Sequence, residues 1–208
     1  MARYWVHNNL FTFDGQKMSK SLGNIRTMRS FLGQYDAEIF KYMVLSVHYR
    51  SPIDFSDLTI QQTITNLARI YSALAAAEEF LGATPATAPP TNLLGVVEAR
   101  RAFDEAINDD FNTSGAFARF FEVIRAFNTE VRRGGKADEK TLARCRELRT
   151  LFADYGKMMS LFEQAPAAFL KRLDDLVLRR GGQHEPALRL RDERHAGDRR
   201  RDLCTFDL

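Results

Sequence analysis

Between Phe117 and Val131 the large apolar residues Phe117, Phe120, Phe121, Ile124, Phe127 and Val131 recur at steps of three and four. That period puts them on one face of an α-helix. Rings of this size carry too much apolar surface to be left in water, so the face demands a partner. The same period returns in Ile39, Phe40, Met43, Val44 and Val47, in Ile60, Ile64, Leu67, Tyr71 and Leu74, and in the long series Leu142, Cys145, Leu148, Phe152, Tyr155, Met159 and Phe162. Stripes of this kind are buried only by packing helix on helix. The spacing therefore predicts a mainly α fold with a helical bundle at its centre. Phenylalanine at such positions is core material.

Local signals divide the chain. Tyr4-Trp5-Val6 and Phe11-Thr12-Phe13 read as extended, and Asp14-Gly15 is a tight-turn signal. Gln16 to Asn24 reads as a polar loop. Helix begins near Thr27, and Asp36 is a good N-cap. His48 to Asp57, with Pro52 inside it, breaks the second helix, and Gly82 stops the third. Ala83 to Asn92 reads as an extended linker and is expected to separate two helical units. Beyond it lie a helix with Phe103 and Ile107, a helix with Thr113 as candidate N-cap, a turn at Arg132 to Ala137, a helix from Asp138 through Phe162, and a last helix opened by Pro166 that carries Phe169, Leu170, Leu173 and Leu176. From Arg179 the text is crowded with Arg, Asp, Glu and His, with little apolar surface to offset ordering, so a disordered tail is expected there.

Composition narrows the class. The 208 residues are 45% hydrophobic and 27% charged, which suits a folded globular protein. No apolar run approaches the roughly 20 residues that span a bilayer, and the first residues show no secretory pattern. Cys145 and Cys204 make no disulfide framework, so a reduced, cytoplasmic setting is expected and Cys145 reads as a small buried apolar residue. The net charge of +3 permits a nucleic-acid partner without demanding one. His7 and His48 have no carboxylate or thiol at ligand spacing, so a metal role is not expected of them. Asp109-Asp110 reads as a helix-end and capping device, and His48-Tyr49-Arg50 as a fixed corner.

The stretch with chemistry is Lys17-Met18-Ser19-Lys20-Ser21-Leu22-Gly23-Asn24. Two lysines and two hydroxyls on a loop that Gly23 lets turn can bring cations and donors to one polyphosphate. The string KMSKS after a short hairpin is the second signature of class I aminoacyl-tRNA synthetases. With Tyr4-Trp5-Val6-His7-Asn8, Tyr35-Asp36-Ala37-Glu38, His48-Tyr49-Arg50-Ser51-Pro52 and Asp109-Asp110-Phe111-Asn112-Thr113, the chain resembles the cysteinyl-tRNA synthetases from Ala2 to Leu178.

The resemblance implies an ATP-dependent ligase that forms cysteinyl-adenylate and passes the cysteine to its tRNA. It implies that Lys20 is the main ATP contact, that Lys17 assists, and that Met18, Ser19 and Ser21 shape the ATP-binding loop. It implies the end of a catalytic domain with the motif loop over 1–34, stem-contact helices over 35–82, a linker over 83–92, a DALR-like helical bundle over 93–178 and an atypical tail over 179–208. The family also carries an H-x-G-H signature and zinc ligands, neither of which is found in this text, so a C-terminal portion is expected, with weak or no activity alone and an N-terminal complementing polypeptide as a partner. The tail resembles a frameshifted reading. Two other readings stand beside it: the related cysteine ligase of mycothiol synthesis, and a non-catalytic tRNA-binding fragment.

Overall fold

In the computed structural model of the chain, residues 2–17, 19, 27–82, 91–131 and 136–181 are described. The strands β1 (Phe11–Phe13) and β2 (Gln16–Lys17) form a hairpin. Asp14 and Gly15 both take positive φ, 48° and 74°, the geometry that a two-residue hairpin turn requires. Strand β3 (Ile53–Asp54) adds in parallel to β1, giving the order β2-β1-β3. Tyr4, Trp5 and Val6, read as extended, pair with no strand among the described residues and stand exposed.

Seven helices follow among the described residues: α1 (Met28–Leu32), α2 (Ala37–Leu45), α3 (Asp57–Leu81), α4 (Val96–Asn108), α5 (Thr113–Glu130), α6 (Glu139–Met159) and α7 (Pro166–Gly181). The expected cap Asp36 accepts from Glu38 N, Asp138, read as the start of a helix, caps α6 by accepting from Thr141 N, and Gly82 ends α3 at φ 51°. The cap of α5 is Asn112, not Thr113: the Asn112 side chain accepts from Gly115 N at 2.9 Å. Thr113 is the first helical residue instead. The α6 helix ends at Met159, because Ser160 takes φ 54°. Phe162, read as helical, sits in the following turn at φ 59° and is still buried.

Two aromatic clusters organise the packing. Phe55 meets Phe11 and Phe13 at 5.2 Å each, Phe40 at 5.7 Å and Phe31 at 6.1 Å, which seats the hairpin on α1 and α2. The larger cluster joins Phe103, Phe117, Phe120, Phe152, Tyr155 and Phe162 between α4, α5, α6 and the turn after α6. Cys145 of α6 is fully buried, and burial pushes its thiol up to about 11.

The helices before and after 83–92 pack on one another. The α3 helix packs on α6 and α5, and Tyr42 of α2 meets Phe117 of α5 at 4.8 Å. Met1–Leu170 form one compact unit. The second unit, Lys171–Leu208, is described only as the rest of α7. The stripes of α3 and α6 are each wider than one neighbour can cover, so they bury against each other despite the intervening text.

Candidate functional site

The Lys-Ser loop leaves the sheet at Lys17, which pairs with Thr12 at the end of β2. On the far side of the motif, the Thr27 hydroxyl accepts from Ser30 N at 3.1 Å and caps α1. Of the candidate ATP-binding residues, Lys17 is exposed and Ser19 is half-buried. Met18, Lys20 and Ser21 lie outside the described residues, as do Arg132 and Arg133 and the tail beyond Gly181.

The root of this loop is held from below. Asp54 of β3 accepts from the Thr12 hydroxyl at 2.7 Å and from Gly15 N at 2.9 Å. The Gly15 amide and the Thr12 hydroxyl hold the Asp54 carboxyl below its usual range. Asn9 enters the hairpin with its backbone N–H on the Tyr49 carbonyl at 2.9 Å and its side-chain amide on the Arg50 carbonyl at 2.7 Å.

The corner His48-Tyr49-Arg50 is fixed by a partner that periodicity does not reveal. Asp110 accepts from Arg50 Nε at 2.6 Å, Arg50 Nη2 at 3.1 Å and the Tyr49 hydroxyl at 2.6 Å, with His48 Nε2 at 3.9 Å. A paired guanidinium and a phenol on one carboxylate favour its charged form, and Asp110 is pushed down to about 2 by Arg50 first and Tyr49 second. The capping reading of Asp109-Asp110 thus holds for Asp109, which ends α4, but not for Asp110. Asp110 and Phe111 take φ 52° and 53°, unusual for residues other than glycine, and Phe111 is left exposed.

A second carboxylate joins α2 to the turn after α6. Glu38 is 3% exposed and accepts from the Tyr71 hydroxyl at 2.6 Å, Phe162 N at 2.8 Å and the Gln164 amide at 2.8 Å. Beside it, Lys41 Nζ donates to the Ser160 carbonyl at 2.6 Å. Among the described residues no group of three or more His, Cys, Asp or Glu side chains is placed to hold a metal ion. No helix among them is long and apolar enough to cross a membrane.

Residues 1–65, which hold the hairpin, the loop and the corner, match the family of class I (C) tRNA synthetase catalytic domains. Residues 102–163, from α4 to the turn after α6, match the DALR domain. A cysteine–tRNA ligase of Bdellovibrio bacteriovorus is 46% identical over 181 residues, 86% of this chain and 37% of that protein. By sequence the chain is related to the cysteine–tRNA ligases. Those of Pelobacter propionicus and Geotalea daltonii are 41% and 36% identical over 83% and 99% of the chain. The chain spans 37% to 44% of the length of these three relatives. The Arg50–Asp110 and Glu38–Phe162 bonds each run from the segment of the first match to that of the second. Sequence reasoning missed both, since an acid in a first helical turn or at a helix end reads as solvated or capping.

Proposed function

We propose that the chain works as the C-terminal portion of a cysteine–tRNA ligase, in which cysteine and ATP form cysteinyl-adenylate and the cysteinyl group is passed to tRNA for cysteine. The observation that carries this is the 46% identity over 181 residues to a protein of that name. The relatives quoted all bear the tRNA-ligase name, so the mycothiol-pathway ligase and the non-catalytic fragment are not favoured.

In this reading 1–34 end the catalytic domain, 35–82 are stem-contact helices, 83–92 a linker and 93–178 the helical domain. The cysteine carboxylate attacks the α-phosphorus of ATP, and negative charge grows on the departing pyrophosphate. Lys20 meets that charge, with Lys17 assisting from the end of β2. Met18, Ser19 and Ser21 shape the loop around the phosphates. A cation placed where charge develops stabilises the transition state more than the bound substrate. The cytoplasm is the proposed site of action.

The test has two readouts. In filter binding, the 208-residue chain should retain transcribed tRNA for cysteine more tightly than a tRNA of another specificity. With a polypeptide supplying the rest of the family's catalytic domain, cysteine-dependent ATP–pyrophosphate exchange should appear, and Lys20→Ala should lower it roughly 100-fold, about 3 kcal/mol of transition-state stabilisation. Absence of tRNA preference together with an exchange rate indifferent to Lys20→Ala would overturn the proposal.

A further inference from the structure

We infer that Asp110 is a positioning residue for the hairpin that carries the Lys-Ser loop, acting through Tyr49, Arg50 and Asn9. The inference rests on the reading above only in taking that loop as the ATP-facing one. The side chains of Tyr49 and Arg50 end on the Asp110 carboxylate. The carbonyls of the same two residues receive the backbone and side-chain N–H groups of Asn9. Asn9 Oδ1 in turn accepts from Leu10 N at 2.7 Å, and Leu10 leads into β1. The path from the α4–α5 turn to the start of the hairpin therefore runs through these hydrogen bonds and the backbone of residues 49–50.

The hairpin needs such an anchor. Its strands are three and two residues long, and β3, which adds to them, is two, so a sheet of that size is marginal in water by itself. Phe11 and Phe13 are only half-buried, and Tyr4, Trp5, Val6 and Leu10 are exposed, so burial gives little hold upstream. What remains is the Phe55 contact, the Asp54 clasp, the β3 bonds from Ile53 N to the Leu10 carbonyl at 3.2 Å and from Phe55 N to the Thr12 carbonyl at 2.8 Å, and Asn9 on the 49–50 carbonyls. The 49–50 segment that holds Asn9 is itself held by Asp110, which lies in the DALR-matched segment, so whatever moves the α4–α5 turn acts on the loop root. The turn is itself held in an unfavourable backbone conformation at Asp110 and Phe111, and such positions persist where surrounding bonds over-determine them.

The experiment is amide hydrogen exchange on the 208-residue chain, with Asp110→Ala and Arg50→Lys as variants. In Asp110→Ala the amides of 9–17 should exchange about tenfold faster while those of Leu67 to Leu74 and Phe117 to Phe127 stay as they were. Arg50→Lys keeps the charge but loses the two-pronged contact, and should give an intermediate rise; it decides the matter if Asp110→Ala loosens the helices as well. Asp110→Glu should restore part of the protection. Addition of transcribed tRNA for cysteine should slow exchange at 9–17 in the parent chain but not in Asp110→Ala that still retains tRNA on a filter. Unchanged exchange at 9–17 in both variants, or equal protection by tRNA in the parent and Asp110→Ala, overturns the inference. If no protein retains tRNA, the tRNA-binding half of the proposed function fails, while the first comparison still judges Asp110.

Discussion

Replacing Glu38 by alanine removes one carboxylate and strands the donors that converge on it. Tyr71 is fully buried and its hydroxyl ends on Glu38 at 2.6 Å. Phe162 N, also buried, ends there at 2.8 Å. Burial first, and the Glu38 bond second, push the Tyr71 phenol far above its ordinary range, so it remains a donor at any working pH. The Gln164 amide lies at a half-buried edge and can turn to water, so it is left out of the count. Two stranded buried donors at about 1–3 kcal/mol each predict a loss of about 4 kcal/mol, a large part of the 5–15 kcal/mol that holds a typical domain. With a urea slope of about 2 kcal/mol per molar, the unfolding midpoint should fall by about 2 M. Glu38→Gln keeps an accepting oxygen and should cost less. The decisive comparison is Glu38→Ala with Tyr71→Phe: deleting the stranded hydroxyl should recover about 1–3 kcal/mol. If the double variant is less stable than Glu38→Ala alone, or if Glu38→Ala costs under about 1 kcal/mol, the Glu38 cluster does not act as described.

The Asp110 carboxyl titrates at about 2 in the folded chain, held down by Arg50 and then Tyr49, against roughly 3.9 when unfolded. Because the folded value is the lower one, the stabilisation is complete above the unfolded value and is lost as pH falls toward the folded one. The stability gap between the parent chain and Asp110→Asn should therefore be steady near neutrality and shrink between about pH 5 and pH 2; a gap that does not change there contradicts the bond network. A methyl group at Gly156 would stand 2.5 Å from the Leu161 carbonyl and 3.4 Å from Phe162 Cβ. Gly156→Ala should destabilise by about 1–2 kcal/mol in urea unfolding despite its better helix propensity, and a more stable variant would show that the turn after α6 gives way freely.

What the sequence reveals here is what neighbouring residues decide. Asp36, Asp138, Gly82 and Asp14-Gly15 act on groups within a few positions, and their roles are legible. Asn112 and Thr113 are both good caps in adjacent positions, and only the reach of the side chain to Gly115 N separates them. The apolar period of α6 continues through Phe162, so the left-handed Ser160 that ends the helix leaves no mark in the pattern. Strand β3 is two residues long, too short to show alternation, and its pairing with β1 spans more than forty positions of chain. The motif string pointed to the loop, and the structure describes Lys17 and Ser19 of it.

The acids are the least legible residues and carry the most positional information. Glu147, 2% exposed on α6, accepts from Thr91 Oγ1 at 2.5 Å and from Leu93 N and Leu94 N at 2.9 Å each, fixing the start of the second helical stretch. Glu38 fixes the turn after α6 against α2 and α3, and Asp110 fixes the corner after α2. Apolar stripes alone tolerate a slide of one helical turn, since Leu, Ile and Phe at neighbouring positions fill similar volumes. A buried carboxylate that needs two or three donors at set distances does not, because a slip leaves it unpaired at high cost. The stripes therefore decide that the helices pack, and the buried Glu38 and Glu147 decide in which register, while the exposed Asp110 adds its ion pair to Arg50 at the corner after α2. That division explains how a DALR-matched turn and a catalytic-domain hairpin keep one fixed geometry within Met1–Leu170.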